Sequence, residues 1–111
     1  MPQNFEMFAG DSKRINVTVT ESGVAVDLTG ASVKWVLKKQ ASTSVAEVNK
    51  TTATGGISIT EQANGKFQIT LAPDDTANLK GFYYHAAEVT DVLGNVSTVL
   101  SGHVNIIASG I

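Results

Sequence analysis

The chain is 111 residues long, with 42% hydrophobic and 16% charged residues, a net charge of −2 and no cysteine. A chain of this length forms one domain and buries roughly two-thirds of its unfolded surface, enough for one core without covalent staples. The lack of cysteine excludes a disulfide framework, a thiolate metal site and a cysteine nucleophile, and eight basic against ten acidic residues give no electrostatic footprint for nucleic acid or an anionic membrane.

Along the chain, apolar runs are too short to cross a bilayer, and Met1 to Arg14 lack the charge and apolar stretch of a signal peptide. The expectation is a soluble protein made in the cytoplasm. Phe5, Met7 and Phe8 form an apolar cluster before the turn at Gly10, Asp11 and Ser12. Residues 1–8 therefore read either as a contact arm or as a first strand. Ile15, Val17 and Val19 then alternate with Asn16, Thr18 and Thr20, the pattern of a half-buried strand. Glu21 to Gly23 turn the chain, and in Asp27-Leu28-Thr29-Gly30 the polar side chains bind nearby amides while Gly30 takes positive φ. Val33, Trp35 and Leu37 share one strand face, which places the indole in the core.

From Gln40 to Thr54 the pattern weakens, and an edge strand is expected over Val45 to Lys50. Gly56 to Thr60 and Lys66 to Leu71 alternate around Gln62-Ala63-Asn64-Gly65, where Asn64-Gly65 predicts a tight primed hairpin turn. Pro73, Asp74, Asp75 and Thr76 break the strand into a helical turn ending near Leu79. Gly81 permits a bend, after which Tyr83, His85, Ala87 and Val89 share one parity and Phe82, Tyr84, Ala86 and Glu88 the other. Leu93-Gly94-Asn95 reverses the chain into a last strand over Val96 to Ile107, whose parity change predicts a bulge near Gly102. Seven to nine short strands at this turn spacing, without a long amphipathic helix, predict an all-β sandwich.

Chemistry is harder to find. His85 and His103 lie on adjacent strands, but two histidines do not complete a zinc shell. Asp74, Asp75 and Asp91 suit turns and caps better than a calcium loop, and no catalytic triad or phosphate cradle is spaced along the chain. The reading is a non-enzyme with no metal and no cofactor. Tyr83 and Tyr84 point to opposite faces, so Tyr84 is the candidate for a surface contact. A carbohydrate-binding module is an alternative, weakened by the lack of an aromatic platform.

The order Leu79, Gly81, Tyr83, His85, Ala87 resembles the tyrosine corner before strand F of immunoglobulin-like sandwiches, with His85 in the cysteine position. Asp11 after Gly10, Asp27 to Gly30, Trp35, Gly65 before Phe67, Asp75-Thr76, Asp91 with Gly94, and Gly102 extend the likeness over nearly the whole chain. In that order they resemble the immunoglobulin-like structural domains of phage tail, baseplate and fibre proteins. The resemblance implies a single immunoglobulin-like antiparallel β-sandwich over residues 1–111. It also implies a virion component of the tail or baseplate that docks on other virion proteins or on copies of itself, as a trimer or hexamer. A head-decoration or head-fibre protein is the alternative. Phe5, Met7, Phe8 and Tyr84 are the expected interface residues.

Overall fold

The computed structural model describes residues 4–110. Its strands are β1 (Phe5–Phe8), β2 (Lys13–Thr18), β3 (Thr20–Glu21), β4 (Val24–Ala25), β5 (Ser32–Lys38), β6 (Val48–Thr51), β7 (Ile57–Glu61), β8 (Lys66–Leu71), β9 (Gly81–Thr90) and β10 (Val96–Ile107). A short helix α1 (Pro73–Thr76) separates β8 from β9. One sheet has the order β1-β10-β9-β5-β6, the other β2-β8-β7, and β3 with β4 forms a separate small hairpin.

After β2 the chain crosses between the two sheets in pairs, β5 with β6, β7 with β8 and β9 with β10, in the manner of an immunoglobulin-like sandwich: β2, β8 and β7 occupy the places of strands B, E and D, and β5, β9 and β10 those of C, F and G. β6 extends the second group, and β1 joins it by running parallel to β10. The fold is therefore an all-β immunoglobulin-like sandwich, as the turn spacing predicts.

Alternation decides which side chains meet between the sheets. From one sheet come Val33, Trp35, Leu37, Tyr83, His85, Ala87 and Val89, and from the other Ile57, Phe67, Ile69 and Leu71, all buried. Burying the Val, Leu, Ile and Phe side chains among them stabilises the fold by about 1.5–3 kcal/mol each. Leu28, 1% exposed, closes one end from the loop after β4, where Asp27 accepts the Thr29 amide at 2.9 Å and Gly30 has φ 74°.

Four local expectations change. The β7–β8 connection is a 3-10 turn over Gln62–Asn64, and Gly65 alone takes the left-handed conformation at φ 70°. Asn64 donates its side-chain amide to Glu61 at 3.1 Å, which holds it in the turn instead of in a primed hairpin. The break in β10 falls between Thr98 and Leu100, not at Gly102, which sits in regular register opposite His85. The irregularity is where the chain passes from exposed Val96–Thr98 to buried Leu100. The helix ends at Thr76 and not near Leu79; the Thr76 hydroxyl, fully buried, accepts the Gly10 amide at 3.0 Å and ties α1 to the β1–β2 connection. The edge strand expected over Val45 to Lys50 is present but begins later, at Val48–Thr51, with Val45 exposed ahead of it, and Lys50 pairs with Asp75 at 2.8 Å.

Candidate docking surfaces

The first strand decides the fate of the N-terminal candidates. β1 pairs with β10 from Phe5 opposite Val104 to Phe8 opposite Ile107, so residues 5–8 of the expected arm are a strand of the sandwich, while residues 1–3 lie outside the described residues. Met7, 7% exposed, points into the core. That corrects its assignment as an interface residue: with a period of two, only one parity of β1 can face out. Phe5 shares the parity of Met7 and is half-buried, its ring edge-on to His85 at 5.1 Å between centroids and beneath the Lys13 ammonium at 5.1 Å. Phe8 has the opposite parity and remains 51% exposed.

Tyr84 lies half-buried on the same outer face of the five-stranded sheet, edge-on to His103 at 6.2 Å. Next to that pair is Phe82, 77% exposed, opposite Asn105 of β10. Phe82, His103, Asn105 and Glu6 line an open depression of about 430 Å³ on this face. Phe8 and Tyr84 are thus brought onto one face, together with Phe82, which alternation alone places there but which the sequence reading did not single out.

The two histidines are separated by the sheet itself. His85 is fully buried and its Nδ1 accepts the Trp35 indole N–H at 3.0 Å, whereas His103 points outward. Asp75 lies in α1, ahead of β9, where it also pairs with Lys50, and Asp91 directly follows β9. Asp75 accepts the Ala72 amide at 2.7 Å. Asp91 accepts the amides of Leu93 and Asn95, both at 2.9 Å, and the Asn95 side chain at 3.2 Å. These bonds, led by those from Asn95, hold its carboxyl below the ordinary aspartate range. Hydrogen bonds from Thr29 do the same for Asp27, and those from Asn64, with the Lys66 charge, for Glu61. Among the described residues no three His, Cys, Asp or Glu side chains are grouped to hold a metal ion.

The turn that Asp91 closes carries a second apolar exposure, with Val92 at 73% and Leu93 at 84%. The backbone there is fixed at both ends, Asp91 N–H to Asn95 O and Gly94 N–H to Asp91 O, each at 2.9 Å. The molecule therefore presents apolar groups on rigid elements, an arrangement suited to contact with another protein more than to holding a small molecule.

No family model matches the chain, and no curated protein matches it significantly. Among solved structures it is similar to AggA, the major subunit of aggregative adherence fimbriae type I from Escherichia coli. The likeness has 15% identity and a TM-score of 0.34, over 98% of this chain and 91% of that one. The assignment of the fold rests on the strand order and register of the chain itself.

Proposed function

We propose that the protein is a non-enzymatic structural subunit of a phage virion, in the tail or baseplate, which docks a rigid sandwich onto other virion proteins. The order of turn and core motifs from Gly10 to Gly102 supports the phage assignment by resemblance. The observation that carries the docking is the outer face of the five-stranded sheet, where Phe82 stays 77% exposed next to Tyr84 and His103, and Phe8, opposite Ile107 further along the same face, stays 51% exposed. Exposed aromatics on a sheet face are the composition of an interface centre.

Mass spectrometry of purified particles, separated into heads and tails, tests the reading. Recovery of the protein in the tail fraction is the expected result, and recovery with heads would move it to a head-decoration or head-fibre role. Its absence from particles would overturn the assignment. Phe82→Ser keeps the fold, since the ring is exposed, and is expected to lower incorporation.

A further inference from the structure

We propose that β2 is a self-pairing edge, joining two copies of this chain antiparallel about a two-fold axis at Val17. This deepens the docking reading by naming one partner, a second copy, and rests on it only for the premise that the protein assembles.

The argument begins with which backbone groups are spent. β2 is the terminal strand of its sheet and pairs only with β8. Just beyond it, Val19 donates its N–H to Gly65 O at 2.8 Å and accepts from Val26 N–H at 3.0 Å, so its two groups face the β8 side. In an antiparallel strand the N–H and C=O of one residue point the same way and the next residue's point the other way. Odd residues are therefore satisfied within the fold, and Arg14, Asn16, Thr18 and Thr20 direct their backbone groups to the open edge.

Most edges of the two sheets are guarded. β1 and β6 span only four residues each, with Glu6 in the first and Lys50 in the second, and β7 is irregular between Ile59 and Glu61. Short length, charge and bulges are how proteins blunt edges against pairing. β2 has its charges, Lys13 and Arg14, at one end only, and from Ile15 through the start of β3 at Thr20 the edge has no proline, glycine or charge.

Beside it runs a seam. β1 covers only Val104–Ile107 of β10, so the upstream half of β10 has no strand on that side among the described residues. Ile15 and Val17 of β2, with Val99 and Leu100 of β10, line the resulting depression of about 650 Å³. An extended segment added to β2 lies over this gap between the sheets.

What selects a second copy is the chemistry of the strand read in both directions. Pairing about Val17 sets Asn16 opposite Thr18, Ile15 opposite Val19, Arg14 opposite Thr20 and Lys13 opposite Glu21. Apolar residues meet apolar ones on the seam side, polar residues meet polar ones outside, and the cationic end of each strand meets the anionic end of its partner. The residues brought into hydrogen-bonded pairs, Asn16 with Thr18 and Arg14 with Thr20, are the ones whose backbone groups face outward. A register shifted by one residue would oppose spent groups to free ones and turn apolar side chains outward. The resulting two-fold contact is isologous, and three such dimers can build the hexamer expected of a ring component.

The test is sedimentation equilibrium from about 10 µM to about 1 mM, on wild type and four variants. Wild type should show a monomer–dimer equilibrium. Thr18→Pro removes an outward N–H that the fold does not use, a position where an edge strand tolerates proline, and should abolish the dimer. Lys13→Glu and Glu21→Lys each place like charges opposite one another at both ends, and each should weaken association roughly tenfold. The double variant Lys13→Glu with Glu21→Lys should recover it. Unfolding midpoints of the variants report folding separately, and the charge variants decide the matter if Thr18→Pro does not fold. Wild type remaining monomeric throughout, or an oligomer indifferent to the charge exchange, overturns the pairing. A monomer that is still found in tail particles would leave the docking reading standing.

Discussion

Trp35 donates its indole N–H to Nδ1 of His85 at 3.0 Å, with both residues fully buried between the sheets. The rings are inclined at 60° with centroids 5.9 Å apart, and Phe5 closes the other side of the imidazole edge-on. The indole nitrogen is a donor only, so Nδ1 acts as acceptor and the neutral ring carries its proton on Nε2. In antibody domains this position on strand F holds a cysteine whose disulfide packs on the strand C tryptophan. Here a directed hydrogen bond fixes the same contact, linking β5 to β9 within one sheet.

The contribution of that bond is measurable. Trp35→Ala is expected to cost about 3–5 kcal/mol by loss of a buried aromatic. Trp35→Phe keeps most of the ring and removes the donor, at about 1–3 kcal/mol. Denaturant unfolding of Trp35→Phe, His85→Leu and the double variant should give a coupling of about 0.5–3 kcal/mol. Additive losses would show that packing alone holds the pair.

Gly65 is the turn residue with the least freedom to change. It has φ 70°, and a Cβ there would lie 2.6 Å from Val19 O and 2.8 Å from Val26 O. Gly65→Ala should therefore cost more than the roughly 1–2 kcal/mol of a left-handed non-glycine residue, because the backbone of both neighbours must move. Gly10, also at positive φ, has open space around it. Gly10→Ala should cost only the conformational part, and equal losses at the two sites would contradict the close approach.

The β1 segment separates strand from arm. Met7→Ala should destabilise the fold by about 2–5 kcal/mol, as truncation of a buried Met does. Phe8→Ala should stay within about 0.5 kcal/mol, as exposed positions do. A Met7→Ala protein with an unchanged unfolding midpoint would mean that β1 does not dock on β10.

Alternation made most strand faces legible in the sequence, because a one-residue parity error would turn Trp35, Phe67 or Tyr83 out to solvent. At Phe5-Glu6-Met7-Phe8 the rule was present but masked, since apolar residues of both parities read as one cluster. Phe82 and Tyr84 share a parity, yet only the tyrosine, with its polar tip, reads as a surface group. Long-range polar contacts left no local signal. Nothing near Thr76 shows that its hydroxyl holds Gly10, and nothing near Lys50 shows its pairing with Asp75. The open edge at β2 follows from strand order, which depends on how all the strands pair and not on the pattern within any one of them.

Asp91 gives the turn between β9 and β10 a defined response to acid. Its carboxylate accepts from Leu93, Asn95 and the Asn95 side chain, and these bonds hold its pKa in the fold below the ordinary value. A group whose pKa is depressed by folding contributes stability that is complete above its unfolded pKa and is lost as pH falls through the folded one. The unfolding midpoint of wild type should accordingly decline below the ordinary aspartate range, with Asp27 and Glu61 adding in the same direction. Asp91→Asn should lower the midpoint at neutral pH, because it replaces a charged acceptor of three hydrogen bonds by a neutral amide. It should also flatten part of the acid decline, so that the two curves converge at low pH. Curves that stay parallel down to strongly acid solution would mean that the Asp91 carboxylate does not hold the turn, and Val92 and Leu93 would then lose the rigid support that presents them.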